Sequence, residues 1–91
     1  MESGVLRISS SSFRQAVLGS QQPFVLALVA SWCRDSRAFQ EVLLQVAAEE
    51  TGRVRVGEAD VDENQALARS LHSNIFPSLF LFRKGETIDR L

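Results

Sequence analysis

The feature that most limits how this 91-residue chain can fold is an uninterrupted apolar run from Phe24 to Ala30. The run lacks the alternation of apolar and polar residues that marks a strand with one face in water. Such a run is typical of a strand that is covered on both faces, as in a parallel or mixed α/β sheet. It is also far shorter than the roughly 20 apolar residues that a membrane-spanning helix needs. We therefore expect a buried central strand here.

The remaining segments alternate between helix and strand patterns. Helices are predicted from the serines at 9–12 to about Gly19, from Arg34 to about Glu50, and after Asp62, which can cap its helix with Gln65 three residues on. Strands are predicted over 5–8, 53–59, 78–82 and 86–91, and Lys84-Gly85 is a tight turn that joins the last two as an antiparallel hairpin. The predicted order is β-α-β-α-β-α-β-β, a mixed α/β sheet flanked by helices in a single domain over residues 1–91.

Composition excludes several classes of function. A formal charge of -1 argues against a nucleic-acid partner and against an anionic membrane. One cysteine rules out an internal disulfide, and together with one histidine it is too few ligands for a structural zinc site. We therefore predict no metal, no nucleic-acid partner and no membrane partner. A lone free cysteine fits a reducing compartment, so the predicted location is cytoplasmic.

The only cysteine and the only tryptophan are neighbours, Trp32-Cys33, and Arg34, Asp35 and Ser36 follow them. They fall where the buried strand should end and the next helix should begin. The unpaired N–H groups at a helix N-terminus favour an anion such as a thiolate. Arg34 adds to that effect and Asp35 opposes it. The alternative is an inert cysteine, because free cysteines often serve as small buried hydrophobes.

These landmarks, taken in order, resemble the thioredoxin family over essentially the whole chain. The landmarks are Phe24 to Ala30 as the central strand, Trp32 to Ser36 as the active-site turn, Asp60 to Asp62 after the third strand, Phe76-Pro77-Ser78 where the family has its cis-proline, and Phe82 to Glu86 in the closing hairpin. The resemblance implies a thioredoxin-like fold with a cis Phe76-Pro77 bond packed beside Cys33. It also implies that Trp32, Phe76 and Pro77, with Arg34 beside them, bind the substrate.

Four departures from the family pattern bear on function. The second cysteine of the Cys-x-x-Cys motif is Ser36, which cannot act as a resolving thiol. The family's buried aspartate is Ala27, and the lysine that commonly partners it is Glu58. Leu91 falls at the end of the last strand, so we expect the family's C-terminal helix to be missing. Its absence would expose apolar sheet surface, which suggests a homodimer, docking to another chain, or a shortened chain.

Three interpretations of Ser36 remain open at this point. Its hydroxyl could donate a hydrogen bond to the thiolate of Cys33 and so share in catalysis. It could be an ordinary polar residue in the first turn of a helix. It could also be an engineered replacement of a cysteine.

The leading hypothesis is a thioredoxin-like redox protein that acts through one cysteine. Cys33 and Ser36 form the catalytic pair, and protein thiols and disulfides are the substrates. No cofactor is needed, although glutathione could serve as the second thiol that releases a mixed disulfide. The rival hypothesis is a non-catalytic interaction module of the same fold. A protein of the monothiol glutaredoxin kind is the weakest hypothesis, because Cys-Arg-Asp-Ser is not that family's motif and no site for a glutathione carboxylate is evident.

Overall fold

Five strands form one mixed sheet in the order β1-β3-β2-β4-β5. A computed structural model describes residues 4–90 of the chain. The strands are β1 (Val5–Arg7), β2 (Phe24–Val29), β3 (Arg55–Asp60), β4 (Ser78–Arg83) and β5 (Glu86–Arg90). The helices are α1 (Arg34–Glu49) and α2 (Gln65–Ser70), and a π-helical segment (Arg14–Leu18) precedes β2. This architecture confirms the thioredoxin-like α/β fold.

Strand β2 is the central strand, as its apolar run predicts. It pairs in parallel with β3 and antiparallel with β4, and β5 pairs antiparallel with β4 through the predicted turn at Lys84-Gly85. Every residue of β2 is buried except Val25, which is half-buried. The strand carries no polar residue because both of its faces are covered along most of its length.

The two faces of the sheet carry separate apolar clusters. On one face, Phe24, Leu26, Phe80 and Phe82 pack beneath the π-helical segment and α2. The ring of Phe13 meets Phe82 edge to face there, with the ring centroids 5.5 Å apart. On the other face α1 provides the cover, and its contacts with the sheet include Ala27, Val29, Leu43, Ala47 and Val56. Along α1, Leu43 and Ala47 are buried, whereas Val42, the residue before Leu43, is about half exposed.

The α1 face of the sheet is covered unevenly. Val56 and Ala27 are buried there, whereas Val25 and Leu79 are half-buried. Leu81 pairs directly with Val25 across the two strands and is half-buried as well. A strip of apolar surface therefore stays partly open on this face of β2 and β4. Leu91 lies outside the described residues.

The start of α2 differs from its prediction. Asp62 and Gln65 do not form a capping box: α2 begins at Gln65, its N-cap is Asn64, and no side chain caps it. The Asn64 side chain instead accepts the N–H of Ser10 at 2.8 Å and donates to the carbonyl of Asp60 at 2.9 Å. It therefore ties the segment after β1 to the loop that leaves β3. β3 also begins two residues later than expected, because the N–H groups of Arg53 and Val54 bond to the carbonyl of Glu50 at the end of α1.

Within residues 4–90, no helix combines the length and the apolar character needed to cross a membrane.

Candidate functional site

Cys33 lies at the junction between β2 and α1, where its sequence position placed it. It is the N-cap residue of α1, with an extended backbone, and its side chain caps none of the helix N–H groups. Its own N–H bonds to the carbonyl of Ala30 at 2.9 Å. The half-buried thiol donates a weak hydrogen bond to the carbonyl oxygen of Phe76, with sulfur and oxygen 3.9 Å apart. The sulfur thus faces the segment before β4.

Ser36 points into the protein rather than into solvent. Its side chain is 1% exposed, and its hydroxyl oxygen accepts the N–H of Ala30 at 3.0 Å. Ala30 is the residue that follows β2, so one hydrogen bond joins the end of the strand to the first turn of α1. Nearby, Arg37 donates to the carbonyl of Ser31 at 3.2 Å. Both bonds fix the short turn on which Trp32 and Cys33 lie.

The segment before β4 supplies the opposite wall of the site. The Phe76-Pro77 peptide bond is cis, and both residues are half-buried. The hydroxyl of Ser78 donates to the carbonyl of Ile75 and accepts a hydrogen bond from the hydroxyl of Ser73 at 3.0 Å. These short-range bonds hold the bend in place next to Cys33.

Two hollows are lined by residues near Cys33 and by Phe76 or Pro77. One, of about 410 Å³, is mostly apolar and is lined by Asp35, Ala38, Phe39, Val42 and Pro77. The other, of about 280 Å³, lies between Trp32 and Phe76 on one side and the loop before α2 with α2 itself on the other. Trp32 is 66% exposed, so its indole is a surface feature of this second hollow and not a core residue.

The predicted site residues lie on these two hollows or next to them. Trp32 and Phe76 line the second hollow and Pro77 lines the first, whereas Cys33 lines neither and its thiol is hydrogen-bonded to Phe76. The two hollows and the Cys33 thiol are together termed the groove, and Arg34 is exposed as the first residue of α1. Ser36 adjoins the groove but is turned inward. The part that α2 contributes to the second hollow was not predicted, because Gln65 was considered only as the partner of Asp62 in a capping box and no pattern singled out Arg69.

The positions where the family carries an aspartate and a lysine form a different arrangement in this chain. Ala27 is fully buried and pairs with Glu58 across β2 and β3. The half-buried carboxylate of Glu58 accepts hydrogen bonds from the side-chain amide of Gln40 on α1, at 3.1 Å and 3.2 Å. The Glu58 carboxylate is therefore hydrogen-bonded to α1, whereas the Cys33 thiol donates its hydrogen bond to Phe76 and not to Glu58. No cluster of three or more His, Cys, Asp or Glu residues suited to a metal ion occurs in the described part of the chain.

Comparison with known proteins gives one consistent result. The family model for thioredoxin matches residues 4–91. A thioredoxin of Mycolicibacterium smegmatis is 32% identical over 92 residues, covering 99% of this chain and 82% of that protein. Thioredoxins of Mycobacterium tuberculosis and Haemophilus influenzae are 30% and 31% identical, and the matches cover 99% and 94% of this chain and 78% and 80% of those proteins.

Replacing Ser36 by alanine should destabilise the protein by about 1–3 kcal/mol, because the buried N–H of Ala30 then loses its partner. Urea unfolding followed by circular dichroism measures the free energy of unfolding. Ser31→Ala is the matched control: Ser31 lies in the same turn but is exposed, and its substitution should change stability by less than about 0.5 kcal/mol. Equal stability of Ser36→Ala and the natural protein would show that the bond to Ala30 does not hold the junction.

Proposed function

The chain belongs to the thioredoxin family, and on that basis we propose that it exchanges disulfide bonds through the single thiol of Cys33. Family membership makes it a thiol–disulfide redox protein of the thioredoxin type, with protein thiols and disulfides as substrates. The proposal adds the route of the exchange, which cannot be the usual dithiol cycle. The observation that carries it is the half-buried thiol of Cys33 at the start of α1 and beside the Phe76 carbonyl, with a serine, not a second cysteine, one helical turn away.

The first step is attack by the Cys33 thiolate on one sulfur of a substrate disulfide. A new S–S bond forms between Cys33 and that sulfur, the original S–S bond breaks, and the other substrate sulfur leaves as a thiolate that takes up a proton. The weak hydrogen bond to the Phe76 carbonyl, 3.9 Å away, holds the sulfur next to the segment before β4. A substrate segment can then lie across Trp32 and Pro77.

Release of the mixed disulfide needs a thiol that Ser36 does not provide. A hydroxyl cannot form a disulfide, and the Ser36 oxygen already accepts the N–H of Ala30. The releasing thiol is either the sulfur that the substrate itself has just freed, which gives isomerisation, or an external thiol such as glutathione. In the second case the external thiol and the trapped sulfur are joined in a new disulfide, and Cys33 returns to the thiolate.

The site residues take the following roles in this proposal. Cys33 is the catalytic nucleophile, and Ser36 is a positioning residue that holds the strand end and the helix start together. Trp32, Phe76 and Pro77 contact the substrate, and the extended backbone before Pro77 can pair with a substrate strand. Arg34 lies at the rim, where it favours substrates or leaving groups with negative charge. A reducing compartment such as the cytoplasm is where this chemistry runs, because the thiol must return to its free form.

The rival hypothesis of a non-catalytic module predicts a different behaviour of Cys33. In that case the groove would bind partners without forming any covalent bond. The mixed disulfide is therefore the species that separates the two hypotheses.

Replacing Ser36 by cysteine should allow the protein to release a substrate that it otherwise holds as a mixed disulfide on Cys33. Mixed with insulin and no other thiol, the natural protein should hold one insulin sulfur on Cys33, whereas Ser36→Cys should free both substrate thiols through an internal disulfide. Non-reducing gels and thiol counting measure the trapped and freed fractions. Ser70→Cys, which adds a thiol on an exposed position of α2, is the control and should still trap. No covalent insulin adduct with the natural protein would refute the proposal.

We also propose that two copies associate through the half-exposed strip of Val25, Leu79 and Leu81. Support comes from its apolar character and its place on the α1 face of the sheet. Sedimentation equilibrium should give a mass that rises towards twice the chain mass of 10.1 kDa as concentration increases. A single-chain mass at every concentration would contradict association.

A further inference from the structure

The turn between β2 and α1 exposes the side chains of Ser31 and Trp32. Trp32 is 66% exposed, and it lines the second hollow of the groove together with residues of α2 and the loop before it. Because most of the residue is exposed, packing holds the indole only weakly, and its orientation depends on the backbone of the turn. The contacts that hold this backbone therefore also set the shape of the hollow.

Arg37 binds this backbone on both sides of Trp32. The Nη1 atom of its guanidinium donates a hydrogen bond to the carbonyl of Ser31 at 3.2 Å, and its backbone N–H donates to the carbonyl of Cys33 at 3.3 Å. Side chains of a helix tilt towards its N-terminus, so the Arg37 side chain reaches back along the exposed side of α1 to the turn. The carbonyl before Trp32 and the carbonyl after it are thus both bound to one residue.

No carboxylate in the described part of the chain draws the guanidinium of Arg37 away from the turn. Glu41 lies one helical turn further along α1, where an ion pair with Arg37 is geometrically possible, but the one ion pair among the described side chains joins Arg53 to Glu50. A hydrogen bond from a charged donor is stronger than one between neutral groups. A planar guanidinium also loses less conformational freedom per hydrogen bond than a lysine ammonium does. Both effects favour the contact with Ser31 even though it is exposed.

We propose that Arg37 is the positioning residue for Trp32: through the Ser31 carbonyl it holds the indole as a fixed wall of the groove, against which a substrate binds. The inference rests on the single-cysteine function proposed above. It adds a residue that acts on substrate binding through the indole, without touching the substrate or the sulfur.

The contacts that hold the sulfur do not involve this guanidinium. The Cys33 thiol bonds to the carbonyl of Phe76, and the N–H of Ala30 bonds to the hydroxyl of Ser36. Loss of the guanidinium therefore leaves the attacking atom in place while the indole gains freedom. A substrate must then order the indole as it binds, and that ordering costs binding free energy. The result is weaker substrate binding with an unchanged rate of reaction for the bound substrate.

The first test uses Trp32 itself as the probe, because it is the only tryptophan of the chain. Time-resolved fluorescence anisotropy of Arg37→Gln should show a larger fast component, from local motion of the indole, than the natural protein shows. Glutamine is a helix former of similar strength to arginine, so α1 itself is preserved. Arg55→Gln is the control, because it removes the same charge from an exposed position at the start of β3 and should leave the decay unchanged. Equal fast components in all three proteins would overturn the proposal.

The second test measures substrate binding with an uncharged peptide disulfide, so that attraction between charges plays no part. The rate of adduct formation on Cys33, followed against peptide concentration without other thiols, gives a half-saturating concentration and a limiting rate. Arg37→Gln should raise the half-saturating concentration about threefold, the effect of one hydrogen bond, at an unchanged limiting rate. Arg37→Lys keeps the charge on a more flexible stem and should give intermediate values in both tests. A loss confined to the limiting rate would contradict a positioning role.

The two tests separate this inference from the proposed function. If the natural protein forms no adduct, the single-cysteine function is refuted, and the anisotropy comparison still decides whether Arg37 holds the indole. If the natural protein and Arg37→Gln both form adducts at the same half-saturating concentration, the inference is overturned and the proposed function stands.

Discussion

A single hydrogen bond, from the N–H of Ala30 to the hydroxyl oxygen of Ser36, joins the central strand to the helix that carries the reactive cysteine. Both residues are buried, so breaking this bond would leave the N–H of Ala30 without a water partner and would lower the stability of the fold. The carbonyl of Ala30 bonds to the N–H of Cys33, and both polar groups of this one residue therefore hold the turn. The position of the sulfur follows from the position of β2.

The pairing of β2 with β4 brings the other half of the site to the same place. Leu28 pairs with Ser78, so Phe76 and Pro77 come just before the paired part of β4 at the end of β2 where the chain turns towards Cys33. The groove thus forms where β2 ends and its antiparallel neighbour β4 begins. α2 and its preceding loop follow β3, the parallel neighbour on the other side of β2, and supply residues that line the second hollow. Three strands of one sheet therefore position the thiol, the cis-proline bend and this hollow.

Sequence patterns predicted the features that rest on periodicity and local chemistry. The unbroken apolar run predicted β2, the helical pattern from Arg34 to about Glu50 predicted α1, and Lys84-Gly85 predicted the turn of the closing hairpin. Patterns failed where a side chain bonds to backbone far away in the chain. Asn64 reaches Ser10, and no local pattern distinguishes it from Asp62 as the residue that organises the start of α2. The inward orientation of the Ser36 hydroxyl likewise depends on packing between elements, which one sequence without its fold does not show.

The central claim is that one sulfur forms a covalent intermediate and cannot resolve it alone. The most direct test is rapid quenching and intact-mass spectrometry of the natural protein mixed with a peptide disulfide in the absence of other thiols. The account predicts one peptide adduct per chain, located on Cys33, that persists until glutathione is added and then disappears as Cys33 is regenerated. No adduct at any time, or an adduct that glutathione fails to remove, would contradict it.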